Sequence, residues 1–267
     1  MLTVAELNRV RRLGVLIDTL HAVVYFAPEP QAAYRELGLR GYWRGYFASR
    51  AAPLGPVGPH LVTALFGGFA PGMVARAIPQ VWTVAAPEPV QAARLSGASA
   101  ALQRLIGDQD ATVRAAAALT GACVEALPLP GRPMAAAQAG LNRPESALAA
   151  LWHDCTVLRE FRGDAHLAAV AIAGLVWPEP HLLQRNRVDP RQREHRGWDE
   201  ETWQRAAERV RGPDLREVEA MTDTLAAPGF AVLGPAEQEE LVRLLEPLAR
   251  AAGAELPFPN AMSLPPV

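Results

Sequence analysis

The segment of residues 151–170 carries titratable side chains at helical spacing beside apolar neighbours. The spaced residues, at steps of four, three and four, are Cys155, Arg159, Arg162 and His166. They share one face if a helix continues through Gly163. Arginine binds a carboxylate or phosphate through two N–H groups, and histidine transfers protons near neutral pH. The spacing predicts Arg159 and Arg162 as ligand-binding residues and His166 as a general acid or base.

A second pair of titratable residues lies on the roughly opposite face of the same segment. His153 and Glu160 are two turns apart and form an alternative acid/base pair. The competing interpretation is that these charges form salt bridges between helices, for example from Arg159 to Glu29 or Glu36. We favour a function because the apolar residues that follow are typical of a buried helix. Buried charge is costly unless it is paired or used.

Aromatic residues cluster in the N-terminal part, where residues 25–82 hold ten of the chain's seventeen aromatic side chains. Such rings line pockets for flat or apolar ligands, and phenol hydroxyls orient the ligand. The alternative is that they form the core of this part. The side chains predicted to bind a ligand here are Tyr25, Tyr42, Trp43 and Tyr46. His21, beside the apolar stripe of the first helix, is either a satisfied core residue or a ligand-binding partner of His166 across a pocket.

Several chemistries are excluded by composition. All 26 basic residues are arginine, so a lysine Schiff base, the phosphate-binding P-loop and the protein-kinase fold are ruled out. The six histidines and two cysteines show no His-x-x-x-His or Cys-x-x-Cys spacing, so we predict no metal and no cofactor. Two cysteines are too few for a disulfide scaffold and indicate a reducing, cytoplasmic location.

An arginine-rich stretch precedes a predicted helix over 199–211. Its basic residues are Arg185, Arg187, Arg191, Arg193 and Arg196. They either contact phosphates ahead of a recognition helix or belong to a solvated loop. The predicted helix begins with Asp199, Glu200 and Glu201, which would face the phosphates. The net charge of −2 also gives no attraction to nucleic acid, so we do not expect a nucleic-acid partner.

Helical periodicity dominates the chain and predicts an all-α fold. Helices are expected over 3–26, 31–37, 60–67, 71–78, 87–108, 110–127, 134–140, 144–162, 163–176, 199–211, 213–227 and 235–253. Gly14 is a weak point in the first helix, and Asp164 is the expected N-cap at a junction after Gly163. The loop 127–133 separates an N-terminal half, 1–127, from a C-terminal half, 134–267, within one compact unit. No apolar run is long and unbroken enough to span a membrane.

Stretches across the chain resemble an actinobacterial family of helix-turn-helix-like, mostly uncharacterised proteins, some of which are encoded beside antibiotic biosynthesis genes. The matching stretches are residues 20–29, 37–58, 151–169, 196–203 and 256–260. The resemblance implies a two-part helical fold whose C-terminal half is similar to a winged helix. The polar residues it carries over are His21, Glu29, Arg40, Arg50, His153, Arg159, Glu160, Arg162, Asp164 and His166. The chain departs from the pattern after residue 212, where no room remains for a wing.

Together these features favour a protein that binds a small polar or anionic organic ligand in an aromatic-lined pocket. The pocket is expected between the N-terminal half and residues 152–166, which requires Arg159 and His166 to lie at a cavity. We favour an acid/base enzyme of specialised metabolism. A winged-helix-like transcription regulator and a ligand-sequestering resistance protein are the alternatives, and a homodimer stays open as the oligomeric state.

Overall fold

The computed structural model describes residues 2–183, 191–210, 215–254 and 256, and these residues form helices and no strand. The all-α prediction is confirmed. The α-helices are α1 (Val4–Phe26), α2 (Pro28–Glu36), α3 (Tyr42–Ala51), α4 (Pro59–Phe66), α5 (Pro71–Ala75), α6 (Val81–Val84), α7 (Pro87–Ile106), α8 (Asp110–Glu125), α9 (Pro133–Ala139), α10 (Ala147–Ile172), α11 (Glu179–Leu182), α12 (Gln192–His195), α13 (Glu200–Arg209), α14 (Leu215–Ala226) and α15 (Pro235–Gly253). Short 3₁₀ turns lie at Ala52–Leu54 and Ala227–Phe230. Within the described ranges, no helix is both long and apolar enough to cross a bilayer.

Local capping explains where several predicted helices begin. Thr3 starts α1 in a capping box, because its side chain accepts from the Glu6 N–H and the Glu6 carboxylate accepts from the Thr3 N–H. Asp199 starts α13 by accepting from the Thr202 N–H at 2.7 Å. Gly14 does not break α1, since α10 passes close by: a Cβ there would lie 2.9 Å from Arg162 Cδ. The glycine permits this contact between the two helices.

Helix α10 runs unbroken for 26 residues, so the predicted junction at Gly163 is wrong. Asp164 lies inside α10 and does not cap it. Its Oδ2 instead accepts from the backbone N–H groups of Met134 and Ala135, at 3.1 and 3.0 Å, at the start of α9. The residue has the type expected of an N-cap, but it caps a neighbouring helix. Continuity through Gly163 puts Arg159, Arg162 and His166 on one helix, as the spacing required.

The two predicted halves share one hydrophobic core. Buried apolar side chains of α1, α7 and α8 pack with those of α10 and α15 in a single cluster. A second cluster, centred on Phe47 and Phe69, holds most of the N-terminal aromatic residues. Helix α10 contributes Trp152 and Leu158 to the first cluster, and its Glu160 accepts a hydrogen bond from Arg50 of α3, a helix of the second cluster. A site on α10 is therefore supported from both sides.

The described C-terminal part contains no wing. Helix α13 ends at Arg209 and α14 begins at Leu215, which leaves residues 210–214 between them. Two strands and a turn need more residues than that. The prediction that this chain lacks the wing agrees with these helix bounds.

Candidate functional site

A cavity of about 270 Å³ lies between α10 and the aromatic N-terminal part. We call it the aromatic cavity. Its lining includes Tyr46, Arg50, Phe66, Gly67, Gly68, Arg159, Glu160, Asp164, His166, Trp177, His181, Gln192 and Arg196. The cavity occupies the predicted place, and both Arg159 and His166 line it, as the binding hypothesis requires.

Two arginines of the cavity share one buried carboxylate. Arg50 donates from Nε and Nη2 to the two oxygens of Glu160, at 3.1 and 3.0 Å, and Arg159 donates from Nη1 to Oε1 at 3.0 Å. Burial alone would raise the pKa of Glu160, but the two guanidiniums hold it well below its usual range. Arg159 also pairs with Asp18, at 3.3 Å. The competing interpretation, salt bridges between helices, holds for Arg159 with a partner other than its examples Glu29 and Glu36: Arg159 pairs with Asp18 of α1, and Glu29 pairs with Arg104.

Arg196 contributes a third guanidinium to the cavity. It stands over the Phe69 ring, 4.4 Å from the ring centre, and pairs with no carboxylate of the described chain. Burial is the main cause that lowers its pKa, and repulsion from Arg50 and Arg159 acts in the same direction. An arginine stays charged under such a shift, so the cation is under-compensated. A bound anion would relieve this repulsion.

His166 is held in one tautomer by α14. Thr222 Oγ1 donates its hydrogen to the Val218 carbonyl at 2.8 Å. A hydroxyl has one hydrogen, so Oγ1 accepts from His166 Nδ1 at 3.1 Å, and Nδ1 carries the ring proton. Burial lowers the pKa of His166 below its usual 6.5, although Glu219, 3.7 Å from Nδ1, opposes the shift. The imidazole is therefore neutral at pH 7, with a lone pair on Nε2.

The wall opposite α10 is built around a turn of two glycines. Gly67 and Gly68 have φ values of 55° and 63°, and a Cβ on Gly67 would lie 2.7 Å from Leu167 and 2.9 Å from Trp177. His181 donates from Nε2 to the Gly68 carbonyl at 2.9 Å and contacts Gln192 through Nδ1 at 2.9 Å. Burial lowers the pKa of His181 to about 4, so it stays neutral. Both of its nitrogens are engaged in holding the wall.

A second cavity of about 330 Å³ lies on the other side of α10, against α14 and α1. We call it the α14 cavity. Its lining includes Asp18, Arg159, Arg162, Gly163, His166 and Glu219. Arg162 belongs here and donates to both Glu219 and Asp223, at 2.7 and 2.9 Å. The structure thus gives Arg162 two carboxylate partners outside the aromatic cavity.

The other predicted residues lie around the aromatic cavity without lining it. Tyr25, Tyr42 and Trp43 pack against Tyr46, with ring centres 5.0, 6.2 and 5.6 Å away. Tyr46 lines the cavity itself, where Arg50 Nη1 donates to its hydroxyl at 3.4 Å. Three of the four aromatic residues therefore support the wall through the fourth.

His21 and His153 are buried where helices pack together. His21 bridges Thr156 and Tyr25, both at 3.1 Å, and stacks on Trp152. Since Thr156 donates its hydrogen to the Trp152 carbonyl, His21 Nδ1 donates to Thr156 and Nε2 accepts from Tyr25. This is the arrangement of a satisfied core histidine. His153 contacts Asp154 at 3.4 Å, whereas the partners of Glu160 are arginines.

Two lining residues lie far from α10 in sequence and carried no functional prediction from spacing. Arg50 donates a hydrogen bond to Glu160, which lies 110 positions later in the sequence. Arg196 belongs to the arginine-rich stretch. Of the arginine-rich stretch, Arg185 and Arg187 lie outside the described residues. Residues 257–260, which belong to the family resemblance, also lie outside them. Arg193 pairs with Glu194 and Glu200. The arginine count gave a signal for Arg196, but only the fold shows that it turns toward a cavity.

Within the described residues, no three His, Cys, Asp or Glu side chains come together as a candidate metal site. No curated protein matches the chain, and no solved structure does. A family model described as a helix-turn-helix family matches residues 10–259, nearly the whole length. The chain therefore belongs to this helix-turn-helix family.

Proposed function

We propose that this protein binds a small organic anion in the aromatic cavity. The observation that carries the proposal is Arg196, a guanidinium that lines the cavity without a carboxylate partner among the described residues. Arg159 lies in the same lining. Its partner Glu160 also binds Arg50, and its partner Asp18 is partly exposed to solvent. Buried or partly buried charge is retained where it is paired or used. The anionic group of the ligand then lies between Arg196 and Arg159.

His166 is the proposed general acid/base of this site, which favours an enzyme over a protein that only binds. A neutral imidazole with a free lone pair accepts a proton from a ligand bound beside it. Because Glu160 stays ionised between two arginines, we assign it the role of holding them. Specialised, antibiotic-type metabolism is the setting that the family resemblance suggests, and a cytoplasmic location fits the two unpaired, buried cysteines.

The binding proposal is tested by thermal unfolding with sodium phosphate or sodium benzoate, compared with sodium chloride at equal ionic strength. A bound anion raises the midpoint by about 5 °C at a hundredfold excess over Kd. Arg196→Gln removes this shift. Arg205→Gln, which changes an exposed arginine paired with Glu201 on α13, is the matched control and keeps it. Stabilisation by neither anion, or an equal shift in Arg196→Gln, contradicts the proposal.

A ligand-sequestering resistance protein would use the same cavity without turnover. The enzyme and the sequestering protein can be distinguished once a ligand is identified. Turnover that is lost in His166→Ala while ligand binding persists indicates an enzyme. Binding without turnover in the unmodified protein indicates sequestration.

Family membership favours a second function, a DNA-binding regulator that reads the duplex with α13. The charges of α13 argue against it: the helix begins with Glu200 and Glu201, and its arginines pair with carboxylates, Arg205 with Glu201 and Arg209 with Glu179. Paired cations release few counterions on binding phosphates. A labelled promoter fragment that shifts at low salt, and loses the shift steeply with added salt, would support the regulator. No shift at low salt would dismiss it.

A further inference from the structure

The orientation of His166 places a hydrogen-bond acceptor among the cations of the aromatic cavity. Nδ1 donates to Thr222 on α14 at 3.1 Å. The two ring nitrogens point in divergent directions, so the edge that carries Nε2 points away from α14. His166 lines the aromatic cavity, whereas no residue of α14 does. His166 borders the α14 cavity as well, but Nδ1 is engaged on that side by Thr222, so we assign Nε2 to the aromatic cavity.

Nε2 of His166 is also unoccupied within the described chain. The hydrogen bond of this ring runs through Nδ1, and no described residue donates to Nε2. His181, on the facing wall, differs because both its nitrogens are engaged. A ligand in the cavity thus meets guanidinium donors at Arg196 and Arg159 and a lone-pair acceptor at His166. Such a set selects a molecule with an anionic group and a separate hydrogen-bond donor.

The size and walls of the cavity limit the rest of the ligand. A volume of about 270 Å³ is slightly below the range of pockets for drug-sized ligands, which indicates a compact molecule. The rings of Tyr46, Phe66 and Trp177 line it. Aromatic walls favour an aromatic ligand through offset or edge contacts.

We propose that the aromatic cavity takes a compact aromatic hydroxy acid, whose carboxylate pairs with Arg196 and Arg159 and whose hydroxyl group donates to His166 Nε2. The aromatic ring of the ligand packs among Tyr46, Phe66 and Trp177. Thr222 acts as a positioning residue, because it keeps the proton on Nδ1 and the lone pair on Nε2. This inference rests on the proposed anion binding and adds the class of ligand.

Mandelate and phenylacetate are matched probes, since they share the ring and the carboxylate and differ in one hydroxyl group. A site that accepts a hydrogen bond from a hydroxyl rejects the analogue that lacks it, because its acceptor is then left unpaired. Isothermal titration calorimetry should give mandelate an affinity about tenfold higher than that of phenylacetate. In His166→Leu the two affinities become equal, while both acids still bind.

The role of Thr222 is tested separately by the tautomer of His166. In ¹⁵N-labelled protein, the imidazole resonances should show the Nδ1–H form. Thr222→Val should convert it to a mixture and reduce the preference for mandelate. Thr224→Val is the matched control: Thr224 lies on the exposed side of α14 and donates to the Ala220 carbonyl, so its loss should change neither readout.

The outcomes separate this inference from the anion-binding proposal. Equal affinities for mandelate and phenylacetate in the unmodified protein overturn the inference and leave anion binding intact. An Nε2–H tautomer, or no binding of mandelate, overturns it as well. The anion-binding proposal depends instead on stabilisation by phosphate or benzoate and on its loss in Arg196→Gln.

Discussion

Glu160 is a buried carboxylate that holds two arginines of the site in place. Its side chain is fully buried and accepts hydrogen bonds from two guanidiniums, Arg50 and Arg159. Burying a carboxylate is costly, and these contacts offset the cost. Arg159 has Asp18 as a second partner, so Arg196 is the cation of this lining that has no carboxylate partner among the described residues. Glu160 fixes Arg50 and Arg159 in place in the same cavity as Arg196.

Replacing Glu160 should destabilise the protein and flatten its acid unfolding. Glu160→Gln leaves Arg50 and Arg159 without their anion, at a cost of about 3 kcal/mol at pH 7. The folded-state pKa of Glu160 lies below its usual 4.5, so its contribution is complete above pH 4.5 and is lost as the pH falls toward the folded value. Urea unfolding between pH 7 and pH 3.5 should show a difference between wild type and variant that shrinks below pH 4.5.

Glu201→Gln is the control for this experiment. Glu201 is an exposed residue on α13 with one ion pair to Arg205, so its loss should leave the unfolding midpoint nearly unchanged. A difference between wild type and Glu160→Gln that stays constant down to pH 3.5 would mean that Glu160 is not held ionised by its arginines.

Residue types and spacing revealed the half of the site that lies on one helix. Arg159, Glu160 and His166 lie within two turns of α10, and helical periodicity is enough to bring them together. Arg50 and Arg196 could not be predicted as lining residues, because they reach the cavity through packing between distant helices. The tyrosines gave a partial signal: Tyr46 lines the cavity, whereas its aromatic neighbours stabilise the wall behind it.

At the scale of elements, α10 caps its neighbour α9 through one residue. Asp164 accepts from two backbone N–H groups at the start of α9, a helix that Arg132 precedes without a capping side chain of its own. An unpaired N–H at a buried helix start is costly. Burial raises the pKa of Asp164 to about 6, in spite of these hydrogen bonds. Burial therefore favours the uncharged carboxyl group, although the two capping hydrogen bonds favour the charged one.

Two substitutions at Asp164 should have opposite effects at pH 8. Asp164→Ala removes the cap and should lower the free energy of unfolding by about 1–2 kcal/mol. Asp164→Asn keeps an acceptor oxygen without the buried charge and should match or exceed wild type. Because the folded-state pKa is raised from 3.8 to about 6, wild type loses stability as the pH rises from 3.8 through 6, so the advantage of Asp164→Asn should be smaller at pH 5 than at pH 8.

Chemical unfolding at pH 5 and pH 8 measures both effects, and each variant is the control of the other. Equal destabilisation by Asn and Ala at pH 8 would show that the negative charge itself is needed at the start of α9, through the helix dipole. The proposed role of burial would then be wrong.

Helix bounds were predicted well where the signal is local and poorly where it is tertiary. Thr3 and Asp199 sit directly before the helices they cap, so the sequence places the starts of α1 and α13. Gly163 and Asp164 carry the same local signal for a helix junction, yet α10 continues through them. Packing on both faces of α10 and the use of Asp164 by α9 outweigh the local preference.

At the scale of the whole molecule, the loop 127–133 joins two parts that share one large hydrophobic cluster. Buried residues before the loop, such as Leu13 and Leu102, and after it, such as Leu158 and Leu245, belong to one cluster. Each part would expose its share of that cluster if it were alone. The aromatic cavity also draws its walls from both parts, so the site and the core depend on the same assembly.

Cutting the chain in this loop should abolish cooperative folding of either piece. Fragments 1–131 and 132–267 should each lack a cooperative thermal transition by circular dichroism, because neither can bury the shared cluster. Mixing them should restore part of the transition. Insertion of six Gly/Ser residues after exposed Gly131 keeps the chain intact and should cost little, since loop closure depends weakly on length. A cooperative transition in isolated 1–131 would show instead that the aromatic part, with α7 and α8, folds without α10.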